Sequence, residues 1–589
     1  MASTSGPNTA SEVANALSTA AVEQPPLNAI NSVGSKVTKT PPPDTPENIR
    51  TRSFVILSFW IVVISVGIPL WWITTAIYRA PLPLKEMQSW ADGRACRAEF
   101  PLLIDVEAPL LPDPENLLKT VQHALDDAND FSAHHLRLRL STNAPKSPEK
   151  EEDEVVAATL RLSPGPAGKP HSYNLTPSSR VINLSYSPSY NPSTSLSAFV
   201  ASTLQEIFAE EQQMISYLLA STTSNPSSSP VTSSSTSNGN NGLGKVKVNT
   251  ADITRKMSRI VRYSPTYHLT FSLFTASGLP NSWDVEHAIS EYLQPLLDAL
   301  GGISTFTVDS QIQFYASLSS SVAPTWVPGP EGEEQKGQWI LKKEDLTSFI
   351  NSAEWPLVSI TSYPTINFII YIPSKDQSPL LISDSATNAF LLPQWGGVMI
   401  MNPSHGSPNS SSSGSELTSH LSKEALKPAL DLFATQLLSL LGAPTRPASL
   451  PIRLDSLTRQ RSAELVVSAS STLGSLYRLT LALPSISIPS SVSTSVASTL
   501  LSLKNACREL KNGRFAGEGG ALEEGKNAAI QAERAFFEKS MVGQVYFPEE
   551  HKIAVYLPLM GPVGVPLIMG ATKELGRLFR AWKAQRAIR

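Results

Sequence analysis

Phe54 to Tyr78, FVILSFWIVVISVGIPLWWITTAIY, carries no charged side chain over 25 residues. At ~1.5 Å rise per residue such a run reaches ~37 Å as a helix, enough to cross a ~30 Å hydrocarbon core with some tilt. Arg50 and Arg52 precede it and Arg79 follows, so its edges are sharp; Trp71, Trp72 and Tyr78 suit an aromatic belt. The apolar core is too long for a cleaved signal peptide, about 50 residues precede it, and no small-x-small site follows. Residues 53–78 are therefore expected to be a retained transmembrane helix. Pro69 deprives the carbonyl of Ser65 of its helical donor, so a neighbouring helix, a serine hydroxyl or a local kink must compensate.

A second apolar segment, IAVYLPLMGPVGVPLIMGAT, spans 553–572 and is followed by KELGRLFRAWKAQRAIR, with six basic residues against one acidic. The positive-inside rule places this basic tail, 573–589, in the cytosol. Two spans then return the N-terminus to the same side, and 79–552 are expected to be lumenal. Arg79 and Lys85 weaken the charge signal of the first span, so the orientation rests on the second. A signal for exchange with a lipid anchor would end on its apolar run; here 17 mostly polar residues follow. Pro558, Pro562 and Pro566 free the carbonyls of Ala554, Pro558 and Pro562, which is costly in hydrocarbon without protein cover. With Gly561 and Gly564 between them, and with Pro69, Trp71 and Trp72 in the first span, they are expected to pack against partner transmembrane helices. A kinked helix that tolerates its prolines is the plainer reading of the second span.

The chain has 589 residues and a formal net charge of −3, which lacks the basic footprint of a nucleic-acid binder. Residues 1–52, rich in Ser, Thr, Pro and Asn, cannot bury a core and read as a disordered cytosolic tail. Cys96 and Cys507 are the only cysteines. A bridge between them and a free thiol at Cys507, which continues an apolar helical stripe, both fit the pattern. Sequons stand at Asn174, Asn183 and Asn409 and become plausible glycan acceptors if the middle of the chain is lumenal.

Within 79–552 short β-type runs appear at LLIDV, HLRLRL, VVAATLRL and RVINLSY, with helical stretches near 114–127 and 196–220. Ser-rich flexible loops are expected at 221–250 and 404–415. GNNGLGKV, 239–246, resembles a phosphate loop, but Val246 stands where magnesium needs Ser or Thr and no strand precedes it. YHLTFSLF, the helix after Ser282 with its stripe Val285, Ile289, Tyr292, Leu296 and Leu300, and the alternating STFTVDSQIQFYASL form a β-α-β succession. Ser282 is the expected N-cap, Asp284 and Glu286 the first-turn acids, Pro295 a kink and Gly301-Gly302 the stop. INFIIYIP, PLLI and GGVMIMN read as further strands, with 385–397 as a loop whose Trp395, beside two glycines, fits an exposed partner- or glycan-binding position and, more commonly, a core position. Residues 424–540 read as mainly helical. The expected fold is a mixed α/β lumenal domain with a helical C-terminal part, flanked by two transmembrane helices.

GIPLWWITTAIYRAPLP (67–83), WDVEHAISEYLQPLLDALG (283–301), FTVDSQIQFYA (306–316), NFIIYIP, ATNAFLLPQWGG (386–397) and YFPEEHKIAVYLPL (546–559) resemble the PIG-S family. That resemblance implies a non-catalytic subunit of the endoplasmic-reticulum GPI transamidase, which joins a lipid-glycan anchor to proteins bearing C-terminal signals. It implies partnership with the other subunits, among them a caspase-like one that holds the catalytic cysteine, and with membrane lipid; contact with the GPI anchor is left open. No cofactor is implied. No HExxH, GxSxG or paired CxxC occurs, His268 and His287 are lone histidines, and the Asp284/Glu286 pair is explained by helix capping. The competing expectation is an independent lumenal enzyme acting on glycans or lipids.

Overall fold

The computed structural model describes residues 45–75, 78–141, 156–166, 169–187, 192–223, 250–319, 321–329, 337–350, 355, 361–383, 385, 387–402, 419–484, 486–541 and 549–587. The tail 1–44, the 239–246 motif, Asn409 and most of both Ser-rich loops lie outside the described residues, as does the side chain of Trp71. The chain divides into two compact units, 1–76 with 553–589, and 77–552.

In the first unit α1 (Pro46–Val62) runs through a π turn, Val63–Gly67, into α2 (Ile68–Thr75). Pro46 sits in the first turn, where its missing N–H costs nothing. No residue of α1 is buried, although the helix is strongly apolar. Among the described residues Pro46–Leu70 is the one helix long and apolar enough to cross a membrane, by length and composition. Just ahead of Pro69 the ladder widens into the π turn, where the Ile68 N–H donates to the Val63 carbonyl. The second expected span falls within the helix Glu549–Ala587, which passes through Pro558, Pro562 and Pro566 without interruption. Several of its side chains between 551 and 563 lie outside the described set.

In the second unit α3 (Leu84–Ala91) leads to β1 (Phe100–Glu107), α4 (Pro114–Asp127), β2 (His134–Leu140), β3 (Val156–Pro164), β4 (Ser172–Leu175), β5 (Val181–Tyr186) and α5 (Pro192–Thr223). The Asp113 side chain caps α4, accepting from the Asn116 N–H at 3.1 Å. The strands form one sheet in the order β2-β1-β3-β5-β4, parallel except for the edge strand β4. Phe100, Leu102, Ile104 and Val106 of β1 are buried on one face, while Leu103, Asp105 and Glu107 are half-exposed on the other. Mostly parallel sheets are usually covered on both sides. Here the second face instead carries polar rows.

A second sheet follows from α6 (Thr250–Met257), β6 (Thr266–Thr275), β7 (Ser282–Trp283), α7 (Val285–Ala288), α8 (Gln294–Leu300) and β8 (Thr305–Phe314). It continues with β9 (Thr325–Val327), β10 (Gln338–Leu341), β11 (Thr365–Ile372), β12 (Leu380–Ile382), β13 (Ala389–Leu392), β14 (Gly396–Ile400) and β15 (His420–Leu421). The main order is β13-β14-β11-β6-β8, with β11 at its centre, buried from Ile366 to Ile372.

Two local expectations are corrected. Ser282 does not cap a helix; it pairs with His420 in β7–β15, and the helix starts after Asp284. Part of the expected loop, Ala389–Leu392, is a strand antiparallel to β14. The irregularity near Pro295 is a π turn, Ile289–Leu293, one turn ahead of the proline.

Four long helices close the unit: α9 (Lys423–Leu440), α10 (Leu450–Ala482), α11 (Ser490–Asn512) and α12 (Ala521–Phe536). The helix α10 serves both sheets, because Ala463, Val466, Ala469 and Leu473 join the core of the first while Leu457 and Leu465 join that of the second. Gly474 lets α3 approach, since a Cβ there would meet the Ala91 Cβ at 2.6 Å. The choice left open for the cysteines is resolved: Cys96 and Cys507 form a disulfide with Cα atoms 6.2 Å apart, joining the entry to β1 with α11.

Candidate functional site

Two surfaces and one buried seam carry the polar chemistry. The seam follows α10 from Thr458 to Ser462, five polar side chains that are all buried. Arg459 Nη2 donates to Glu211 Oε2 at 2.8 Å, and His134 Nε2 lies 3.4 Å from Glu211 Oε1, so α10, α5 and β2 meet at one carboxylate. Burial alone would push the Glu211 carboxyl up, yet the Arg459 guanidinium, by charge and hydrogen bonding, and His134 hold it well below the usual range. Two residues on, Arg461 turns to the other sheet. It pairs with Glu464, donates to the Leu441 carbonyl at 2.7 Å, and stands 5.8 Å from the centre of the Tyr263 ring. A cavity of about 270 Å³ opens beside it, lined by Met214, Met257, Ile260, Gln460 and Arg461 among others. Reading 424–540 as mainly helical did not reveal this seam. Its signal was an Arg-x-Arg pair within a helix of low overall amphipathicity.

The first surface is the open face of the N-terminal sheet. Arg139 Nε donates to Asp105 Oδ1 at 2.9 Å and Arg161 Nε to Glu107 Oε2 at 2.8 Å. In the next strands along the latter row, Arg161 is level with Asn183, and Asn183 is the cross-strand partner of Asn174. Two expected sequons thus fall side by side: Asn174 exposed on the edge strand, Asn183 half-buried on β5.

The second surface belongs to the unit formed by 1–76 and 553–589. Arg52 Nε donates to Glu574 Oε1 at 2.9 Å and Ser53 Oγ to Glu574 Oε2 at 3.0 Å, so the start of the first apolar run meets the end of the second. A Cβ on Gly570 would lie 3.7 Å from Ile56 Cδ1, placing that glycine in the helix contact. Gly561 and Gly564 have nothing among the described residues within 4 Å of that position. Pro558, Pro562 and Pro566 are exposed, as is Trp72, while Pro69 follows the π turn in α2. The expected packing residues of the second span therefore lie apart from the contact made within the chain.

The Arg79 charge that blurred the orientation has its own partners: it donates to the carbonyls of Thr480, at 3.1 Å, and Pro484, beside the C-terminal end of α10. Of the lone histidines, His268 lies between Thr307 Oγ1, at 2.8 Å from Nδ1, and Asp309 Oδ2, at 3.1 Å from Nε2. This hydroxyl–imidazole–carboxylate row runs between the adjacent strands β6 and β8, and the Asp309 carboxylate is 70% exposed. Cross-strand hydrogen bonding accounts for it. His287 is exposed, its pKa raised by the hydrogen bond from Nδ1 to Asp284 at 2.6 Å and by that carboxylate's charge. Among the described residues no three His, Cys, Asp or Glu side chains form a metal-holding group.

Fold and surfaces together define a mixed α/β protein with a bilayer-apt helix and chemistry-bearing side chains largely paired with one another. The chain belongs to the family described as phosphatidylinositol-glycan biosynthesis class S protein, whose profile matches residues 58–581. This is the family its motifs resemble. It is 29% identical over 567 residues to the GPI-anchor transamidase component PIGS of Bos taurus, covering 90% of this chain and 95% of that one. The Homo sapiens component of the same name is 27% identical over the same coverage. The GPI transamidase component PIG-S homolog of Schizosaccharomyces pombe is 27% identical over 91% of this chain and 86% of its own.

Proposed function

We propose that this chain is a non-catalytic subunit of the endoplasmic-reticulum GPI transamidase, supporting assembly and substrate handling during anchor attachment. The observation that carries the reading is kinship along nearly the whole chain with proteins named as components of that enzyme. The helix pair supports a two-span arrangement. Arg52 and Glu574 meet at the polar ends of the two apolar runs, which supports two antiparallel spans with both termini on one side, and the basic 573–589 tail favours the cytosolic side. The Cys96–Cys507 disulfide supports a lumenal 79–552, because such bonds persist in oxidising compartments. Prolines and glycines left uncovered along the second span suit packing against other subunits' transmembrane helices. The catalytic cysteine then belongs to a caspase-like partner, since both cysteines here are spent on the bridge.

Detergent extraction followed by affinity purification of the full chain tests this. The caspase-like subunit is expected to co-purify, and depletion of the chain is expected to leave proproteins uncleaved at their C-terminal signals. Purification of the chain alone, with anchor attachment unaffected by its depletion, would sink the reading.

A further inference from the structure

The helix Glu549–Ala587 does not stop where the apolar 553–572 run ends; it continues for four turns. In that extension Leu575, Leu578, Phe579 and Trp582 follow i, i+3, i+4, i+7 spacing and share one face. They are 56, 66, 68 and 51% exposed, four large apolar side chains together on one open face. Lys573, Arg577 and Arg580 occupy the opposite stripe, with Lys583 on the flank. Arg586 lies over the Trp582 ring, 4.2 Å from its centre, an apolar stem and charged head arranged as at a water–lipid boundary. The one acid of the stretch, Glu574, pairs with Arg52, Ser53 and, at 3.8 Å, Arg577, which leaves Lys573, Arg580, Lys583 and Arg586 as the outward positive charge.

We propose that residues 573–587 lie on the cytosolic membrane surface, the Leu575–Leu578–Phe579–Trp582 stripe entering the acyl boundary and the basic stripe engaging anionic lipid headgroups. This rests on the two-span reading above. Charge complementarity selects the occupant, because Lys573, Arg580, Lys583 and Arg586, set around an aromatic stripe, match a negatively charged leaflet. Position does so too. The Arg52–Glu574 pair marks the polar boundary, and an upright helix would carry Trp582 ~12 Å beyond it, past a headgroup layer ~5–7 Å deep. Keeping Trp582 out of water therefore requires the extension to bend away from the spanning part of the helix near Glu574 and tilt onto the surface.

The test uses the full chain reconstituted in vesicles, labelled with a nitroxide at single introduced cysteines; Cys96 and Cys507 are joined and add no free thiol. Labels go at L578C and A584C on opposite faces, with I61C and V565C reporting the two spans. In phosphatidylcholine–phosphatidylserine vesicles, collisions with oxygen should exceed those with a nickel chelate at 578, and the order should reverse at 584. Omitting phosphatidylserine, or combining K573Q, R580Q and K583Q, should expose position 578 to nickel. Nickel access at both 578 and 584 while 61 and 565 remain in lipid would overturn the inference and leave the spans standing. Nickel access at 565 would remove the second span, and this inference with it. Protection at 578 that ignores phosphatidylserine and appears only with a co-purified subunit would assign the face to a protein groove instead.

Discussion

Arg52 Nε and Glu574 Oε1 stand 2.9 Å apart although 522 positions separate them in sequence. The pair joins the two apolar helices at one end, with Ser53 as a second donor to the same carboxylate. Arg52 is 42% exposed and Glu574 11%, so the contact is partly screened and its worth modest, about 1 kcal/mol or less. In a double-mutant cycle R52A and E574A should each lower the thermal midpoint of the detergent-solubilised chain, and their combination should cost less than the sum. Strict additivity would mean the two helix ends do not meet.

A larger effect is expected at Glu211. Replacing it by Gln leaves the Arg459 guanidinium buried without a counter-charge, a change that costs about 3–5 kcal/mol. The sign with pH follows from the depressed carboxyl. Its contribution is complete above the ordinary value of 4.5 and is lost as pH falls from there toward the lower folded value. Urea unfolding of the wild type should therefore weaken below about pH 4.5. In the Gln variant that part of the acid dependence should vanish.

What the sequence discloses and what it hides divide along the range of the interaction. The stripe Val492, Val496, Leu500, Leu503 is buried as its spacing requires, because a helix face is decided by neighbours three and four residues away. The β-α-β block from Thr266 to Phe314 was legible for the same reason. Arg459 with Glu211, 248 positions apart, and Cys96 with Cys507, 411 apart, were not, since nothing local records which partner folding brings alongside. Ser282 misled by mimicking a cap where a pairing with His420 wins. Ala389–Leu392 sits between an apparent loop and two glycines, and only β14 beside it makes it a strand.

Those two glycines have separate reasons. Gly396 has φ +152°, and a Cβ there would overlap the Asn367 carbonyl oxygen of β11. At Gly397 the obstacle is the Gln436 side-chain oxygen, which is buried without a hydrogen-bond partner among the described residues. Overpacking of this kind costs about 1–3 kcal/mol. G396A should therefore destabilise with no rescue by Q436A, while G397A should be partly restored by it. The four thermal midpoints decide the matter, and equal rescue of both would refute the distinction between a backbone and a side-chain obstacle.

The paired sequons lead to an asymmetric expectation. Asn174 and Asn183 are direct cross-strand partners, so their Cβ atoms lie ~4.5–5.5 Å apart on one face, too close for two bulky glycans to stand freely. Asn174 is exposed on the edge strand, whereas Asn183 is half-buried between β4 and β3, with Arg161 at its own level. We therefore expect a single glycan, on Asn174. Treating the full chain with an endoglycosidase should shift its electrophoretic mobility; N174Q should remove the part of that shift owed to this pair, and N183Q should leave it intact. The reverse pattern would place the glycan on the inner strand. If neither variant alters the shift, this sheet carries no glycan at all, and the open face loses its claim as a modified surface.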